Sequence, residues 1–394
     1  MKTKILQNFF LKEDGTFDLE NALLFSGRIA GVCYDKEGFE HLEKEDISNT
    51  QKRINNTLEN DHHSVYDHIM INFNIVGIPK ILAMVLNNEH QYTTSEKSAR
   101  YTDVTYKNGS ILTEREVALY NKWNERFKEL IKENYPDFTN FKIKTLAQEN
   151  ARYLITVFVP TEMVYSTTLR QINYIASIMQ KYIEEHNESN DYLEKNLSLC
   201  MQDFIKELDR LNVLDKRLMH NSKNRNISLF GKDLEKREEI FSHIYSVNYE
   251  ASYASLAQAQ RHRTLFYQME RMAEKKYFVP PILNKKEEYI KEWTQDIKSV
   301  SNVVPQGEII LINETGTYDN FILKTKERLC TAAQLEVMKA TRDTLLKYKD
   351  ALEKNDHYLK EDIKKYVKGA RCTFGYNCTK KCNFKEGITL EREI

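Results

Sequence analysis

The chain has 394 residues, a length that argues for two domains rather than one, and its 41% hydrophobic content can fill a sizeable core. Its 58 basic and 58 acidic residues balance, which argues against nucleic acid or a polybasic membrane contact as partners. Only 12 Gly and 6 Pro, with long stretches rich in Lys, Glu and Leu, point to a helix-heavy chain.

The opening Met1-Lys2-Thr3-Lys4-Ile5-Leu6 lacks a long apolar stretch or a cleavage site, and no apolar run reaches transmembrane length, so the cytoplasm is the expected location. Residues 35–61 are polar and read as a helix and loop leading to a His-His-Ser-x-x-Asp-His cluster at 62–68. Residues 69–76 then alternate like a half-buried strand, and a short apolar helix follows. Residues 88–101 contain almost no aliphatic side chain and are expected at the surface or in a cleft. Their second half, Ser95-Glu96-Lys97-Ser98-Ala99-Arg100-Tyr101, combines hydroxyls, a carboxylate and a guanidinium. Such a set suits a phosphorylated ligand, because Arg grips phosphate bidentately, although a solvated polar loop has the same composition. A long helical region is predicted over 112–147, followed by Gln148-Glu149-Asn150-Ala151-Arg152 and an apolar, β-branched run over 153–159. No Gly-x-Gly-x-x-Gly or phosphate-loop sequence occurs, so any nucleotide needs another scaffold. Of the six cysteines, Cys372, Cys378 and Cys382 cluster near the end without a further Cys or His to complete a four-ligand zinc site. A reduced tail, with no metal, is the expectation.

The order of cluster, strand, short apolar helix and Ser98-Ala99-Arg100-Tyr101 resembles the flavin-dependent thymidylate synthase family, whose signature is Arg-His-Arg, seven residues, then Ser-x-Arg. Ser98 and Arg100 match its end, while Asn88-Glu89-His90 stands where Arg-His-Arg belongs. Glu149-Asn150-Ala151-Arg152 is similar to the family's Glu-x-Ala-Arg motif, and Arg170 keeps the family's register after Arg152, with Thr168 where Asn is usual. Gly27-Arg28-Ile29-Ala30-Gly31 resembles the family's first helix; on its residues alone it is equally a small-residue packing site. The resemblance implies an α/β (α+β) fold, with a twisted, mostly antiparallel sheet flanked by helices in each unit.

The second half of the chain replays this order. Phe241-Ser242-His243, an alternating run and a short helix lead into Gln258-Ala259-Gln260-Arg261-His262-Arg263, which supplies the Arg-His-Arg that the first half lacks. Arg271-Met272-Ala273 occupies its Ser-x-Arg position. Tyr277-Phe278-Val279-Pro280 resembles the family's Tyr-x-x-Pro, and Arg328 through Glu336 resembles its Arg-x(4)-Ala-Gln-x-Glu helix. Ser301 stands as far before Arg328 as Arg152 stands before Met179, so each half keeps what the other has lost. Two tandem copies, 1–205 and 206–394, are therefore expected, with a boundary inside 190–235 and one composite site per chain.

What the resemblance implies is reductive methylation of dUMP to dTMP by an FAD-dependent methyltransferase, with methylenetetrahydrofolate and NADPH as co-substrates. On that reading Gln258, Arg261, Ser98, Ala99, Arg100, Arg152 and Arg328 bind dUMP, and Arg328 and Ser98 are catalytic. His62, Ser64, Asp67, Glu96, Arg261, His262 and Arg263 bind FAD, with Asp67 a shorter replacement for the usual Glu. The family is tetrameric, so a homodimer forming a pseudo-tetramer is expected. A catalytically degenerate flavin- or nucleotide-binding relic, and a flavin-dependent one-carbon transferase on another pyrimidine nucleotide, share the same residues. The cysteine-dependent synthase does not fit, because no cysteine here follows a proline.

Overall fold

The computed structural model describes residues 1–102, 111–220, 225–378 and 382–394. Asn221, Ser222, Lys223 and Asn224, part of the expected boundary stretch, lie outside the described residues. The fold is mixed α/β and contains two four-stranded antiparallel sheets flanked by helices. The first orders its strands β1 (Lys2–Ile5), β2 (Met70–Pro79), β4 (Pro160–Thr168) and β3 (Thr93–Glu96). The second orders β5 (Ile240–Phe241), β6 (Ile244–Ser252), β8 (Ile309–Thr317) and β7 (Phe266–Arg271) in the same pattern. Period-two alternation drives the central strands: Ile71, Phe73 and Ile75 of β2 are fully buried, as are Ile310 and Ile312 of β8.

The chain packs into two compact units, one made of residues 1–97 and 160–227, the other of 98–159 and 228–394. The segment 98–159 thus leaves the first unit after β3 and returns to it at β4. It carries the predicted helical region, which is two helices, Glu114–Asn134 and Asn140–Ala151. The break falls at Tyr135, which precedes Pro136; the proline ring disfavours helical dihedrals in the residue before it. Thr139 then caps the new helix by accepting from Lys142 N. In the second unit's core Trp123 and Trp293 meet edge to face at 5.0 Å, and Trp123 Nε1 donates to Asp296 at 2.9 Å.

Equivalent pieces recur at fixed displacements. The helices Lys80–Leu86 and Tyr253–Ala259, which directly follow β2 and β6, start 173 positions apart (80 to 253), as do β3 and β7 (93 to 266). The turns Arg152–Leu154 and Ser301–Val303 and the strands β4 and β8 are 149 positions apart (152 to 301, 160 to 309). The helix Glu114–Asn134 takes up most of the difference. Within the second unit, Val157 N donates to Val304 O at 2.9 Å and Gln306 N to Ile155 O at 2.8 Å. A displacement of 149 turns each of these bonds into the other, which is the pattern of an isologous two-fold contact.

Thr168 and Thr317 occupy matching positions and cap the helices Leu169–His186 and Tyr318–Arg328, accepting from Gln171 N and Asn320 N. Thr168 Oγ1 also donates to Asp67 at 2.6 Å. We expect Thr317→Ala to lower stability by about 1 kcal/mol in urea denaturation, and Thr168→Ala to lower it more, because it also strips a bond from a carboxylate. Equal losses would mean that the Asp67 contact contributes nothing.

Candidate functional site

The helix Tyr253–Ala259 is capped by the buried Ser252, whose side chain accepts from Ser255 N. It ends in the turn Arg261-His262-Arg263, in which His262 points inward at 5% exposure while both arginines are exposed. Gln258, on the last turn of that helix, is also buried. Arg328 ends the helix Tyr318–Arg328, and its Nε donates to His262 Nε2 at 2.5 Å. An imidazole that accepts there has to be neutral, with its proton on Nδ1. Burial, then the charges of Arg328 and Lys324, push the His262 imidazole down to about 2. Burial also lowers the Arg328 guanidinium; Glu327 opposes this, while the charges of Arg261 and Arg100 add to it.

The segment 98–159 brings Arg100 and Arg152 into the same unit. Arg100 Nε donates to Glu149, and its Nη2 to Ala332 O at 3.2 Å. Burial works to lower Arg100, but the Glu149 carboxylate outweighs it and lifts the guanidinium above its usual range. Ser98 Oγ accepts from Arg100 N at 3.3 Å, shaping the turn that holds Arg100. Arg152 is 6% exposed, and its Nε and Nη2 are buried without a hydrogen-bond partner. Nearby, Glu336 accepts from Ser252 N at 2.9 Å, Ser252 Oγ at 2.5 Å and Tyr153 OH at 2.8 Å. Burial raises the Glu336 carboxyl, against those bonds and the Arg152 charge. Gln334 Nε2 donates to the same Tyr153 hydroxyl at 2.8 Å. A buried donor left unpaired costs about 1–3 kcal/mol, more on a charged group, so the arrangement suits an anionic ligand on Arg152.

Ser98, Ala99, Arg100, Arg152, Gln258, Arg261, His262, Arg263 and Arg328 therefore all belong to the second unit. His62, Ser64, Asp67 and Glu96 belong to the first. There His62 and Ser64 are exposed, Asp67 pairs with Arg170 at 2.7 Å, and Glu96 pairs with Lys80 at 2.6 Å. From His90 onward the stretch 88–101 lies at the surface as expected, but its first two residues do not. Asn88 and Glu89 are buried, Glu89 completely, and residues 93–96 form an edge strand. Glu89 can be buried because Arg225 pairs with it, and Gln171 Nε2 fixes the next carbonyl, His90 O, at 2.8 Å. Sequence reasoning gave no role to Tyr153 or Glu336, although both lay inside stretches it singled out; a Tyr in an apolar run reads as core.

A family profile described as thymidylate synthase complementing protein (Thy1) matches residues 25–204. The flavin-dependent thymidylate synthase of Pyrococcus furiosus is 25% identical over 149 residues, 36% of this chain and 57% of the relative. That of Thermococcus onnurineus is 23% identical over 151 residues, 37% of this chain and 59% of the relative. The chain thus spans under three fifths of the length of the curated relatives it matches. Among solved structures, flavin-dependent thymidylate synthase ThyX from Helicobacter pylori, complexed with FAD and dUMP, is 18% identical with a TM-score of 0.31, over 56% of this chain and 96% of that one. The UMP/dUMP methylase PolB from Streptomyces cacaoi, bound with 5-Br dUMP, is 16% identical with a TM-score of 0.32, over 56% and 92%. Among the described residues no helix is long and apolar enough to cross a membrane.

The depressed His262 value has a stability consequence. Its folded value lies below the unfolded one, so the folded chain binds fewer protons; the contribution is whole above about pH 6.5 and is lost as pH falls toward about 2. We expect His262→Gln to flatten the loss of stability between pH 6.5 and 4.5 by up to about 1.4 kcal/mol per pH unit, read from urea midpoints. Parallel pH profiles would show that His262 titrates normally.

Proposed function

We propose that the chain, whose residues 25–204 match the thymidylate synthase complementing protein profile, is a flavin-dependent thymidylate synthase that methylates dUMP to dTMP with methylenetetrahydrofolate and NADPH. The observation that carries this reading is Arg152, a buried guanidinium with two unpartnered nitrogens, in one compact unit with Arg100, Arg261 and Arg328. A nucleotide phosphate supplies the acceptors that Arg152 lacks, and Arg100 and Ser98 extend the same clamp. Arg328, with Gln258, faces the pyrimidine, where a fixed cation stabilises the negative charge that develops as C5 becomes nucleophilic. The exposed Arg261 and Arg263, either side of the buried His262, suit an anionic, aromatic cofactor. FAD, when bound, supplies the hydride and is recharged by NADPH. The resemblance assigns His62, Ser64, Asp67 and Glu96 to the flavin as well; Asp67 and Glu96 then have to share or release Arg170 and Lys80.

The shared strand order, the constant displacements and the two-fold pair of backbone bonds support a tandem duplication. In descent the copies are 1–205 and 206–394; in packing, 98–159 joins the second unit, so one composite site per chain uses motifs from both copies. A homodimer then rebuilds four copies.

The test is dTMP formation from dUMP, methylenetetrahydrofolate and NADPH by the flavin-loaded protein. Flavin binding without turnover points to a degenerate relic, and preferential turnover of UMP to a different pyrimidine methylase. Arg100→Ala should weaken dUMP binding by about 1.5–3 kcal/mol, and Arg261→Ala should also release flavin. Since Arg100 and Arg261 lie in one unit of one chain, mixing the two inactive variants should restore nothing. Recovered activity would place the site between chains instead.

A further inference from the structure

Near Arg328 lies a buried ion pair that the proposed reaction does not use. Lys324 Nζ donates to Glu314 Oε2 at 2.6 Å, with the two side chains 1% and 0% exposed. The hydroxyls of Tyr245 and Tyr249 also donate to Glu314, at 2.7 and 2.8 Å. Burial lowers the Lys324 ammonium, and the charge and hydrogen bond of the Glu314 carboxylate oppose that lowering. Lys324 stands four residues before Arg328 on one helix, so the two project from the same face, and the Lys324 charge acts on both His262 and Arg328.

Burying two such ions costs several kcal/mol each, and well-packed apolar residues of similar volume are often as stable. The first unit shows that alternative. At the 149-position displacement Tyr165 stands for Glu314, Ile175 for Lys324 and Met179 for Arg328, all three fully buried. At the 173-position displacement Glu89 stands for His262. All four positions differ together, and the ion pair accompanies Arg328 and His262.

We propose that His262, backed by the Glu314–Lys324 pair, is a positioning network for Arg328, in which the imidazole Nε2 takes the Nε–H of Arg328 and fixes the orientation of its guanidinium. A protonated imidazole would turn a donor toward a donor and break this contact. Glu327, about half exposed and 3.6 Å from Nε2, favours that protonation, while burial and the Arg328 and Lys324 charges oppose it, and Glu314 pairs with the Lys324 ammonium. What Arg328 then does to the pyrimidine rests on the proposed function; the contact itself does not.

The test compares His262→Gln, whose amide oxygen can still accept, with His262→Leu, which cannot, in flavin-loaded full-length protein. The first readout is the Arg328 Nε–H resonance of arginine-labelled protein, assigned by its loss in Arg328→Lys. It should be protected from exchange in the parent and in His262→Gln, and unprotected in His262→Leu. In parallel, His262→Leu should lower kcat for dTMP formation by about a hundredfold, with KM for dUMP and flavin content held within about twofold, and His262→Gln should recover most of kcat. Lys324→Met should raise the pH at which the His262 imidazole protonates; if that variant does not fold, the two His262 variants still decide. Protection of Arg328 Nε–H in His262→Leu, or equal flavin loss in both His262 variants, would overturn the network. Absent dTMP formation in the parent would count against the proposed reaction alone, because the resonance is read without substrate.

Discussion

The second unit depends on the antiparallel crossing of residues 155–157 with 304–306. Its two backbone bonds fix the segment that begins at Arg152, and a third, from Gly307 N to Tyr153 O at 2.9 Å, extends the crossing toward the guanidinium. The approach is tight at Gly307. A Cβ on Gly307 would meet Ile297 Cδ1 at 2.8 Å and Tyr153 O at 3.0 Å. From the other side, Thr156 N donates to Glu116 Oε1 at 2.8 Å, tying the crossing to the helix Glu114–Asn134. Arg152 is therefore held by backbone on one side and by the Tyr153–Glu336 bond on the other. Its Nε and Nη2 are buried in that frame without a hydrogen-bond partner.

Arg100, Arg152 and Arg328, together in one unit, would repel without counter-charges, and the structure offsets them unevenly. Arg100 has Glu149, and Arg152 has Glu336 nearby without a bond to it. Arg328 has the half-exposed Glu327 at 4.0 Å and faces a neutral imidazole, which accepts a hydrogen bond but cancels no charge. Positive charge is thus left without a bonded counter-ion at the buried Arg152, and an anionic ligand there removes both repulsion and unmet hydrogen-bonding capacity. Such a ligand has to stabilise the folded chain by mass action.

Much of the fold is legible in the sequence, because strand alternation over 69–76 and 244–252 is local, and Thr168 and Thr317 announce the helices they cap. The proposed site residues Arg152, Arg261 and Arg328 come from motif order, and the structure places all three in the second unit. Other features are not. Nothing local to 98–159 says which sheet it packs with; that depends on pairing Val157 with Val304, contacts far apart along the chain. Glu314 and Lys324 read as surface residues, since a charge is buried only when a distant partner meets it, and Glu89 was misplaced for the same reason. The helix break at Tyr135 was missed in the single helical region expected over 112–147, although Pro136 marks it.

The two-fold crossing also explains how one site could persist while its twin decayed, on the reading that the chain is a fused duplicate. In a symmetric pair of separate chains every residue serves both equivalent sites, so no position is free to drift. Fusion removes that tie, and the crossing itself is made of backbone N–H and C=O groups that side-chain substitution leaves intact. The frame stays two-fold while side chains diverge: Arg152 against Ser301, Arg328 against Met179, His262 against Glu89, Arg100 against Ala273. Arg100 and Arg152 come from one copy, and His262 and Arg328 from the other. Losing their counterparts therefore empties the same second site each time, and the remaining site keeps every group it uses.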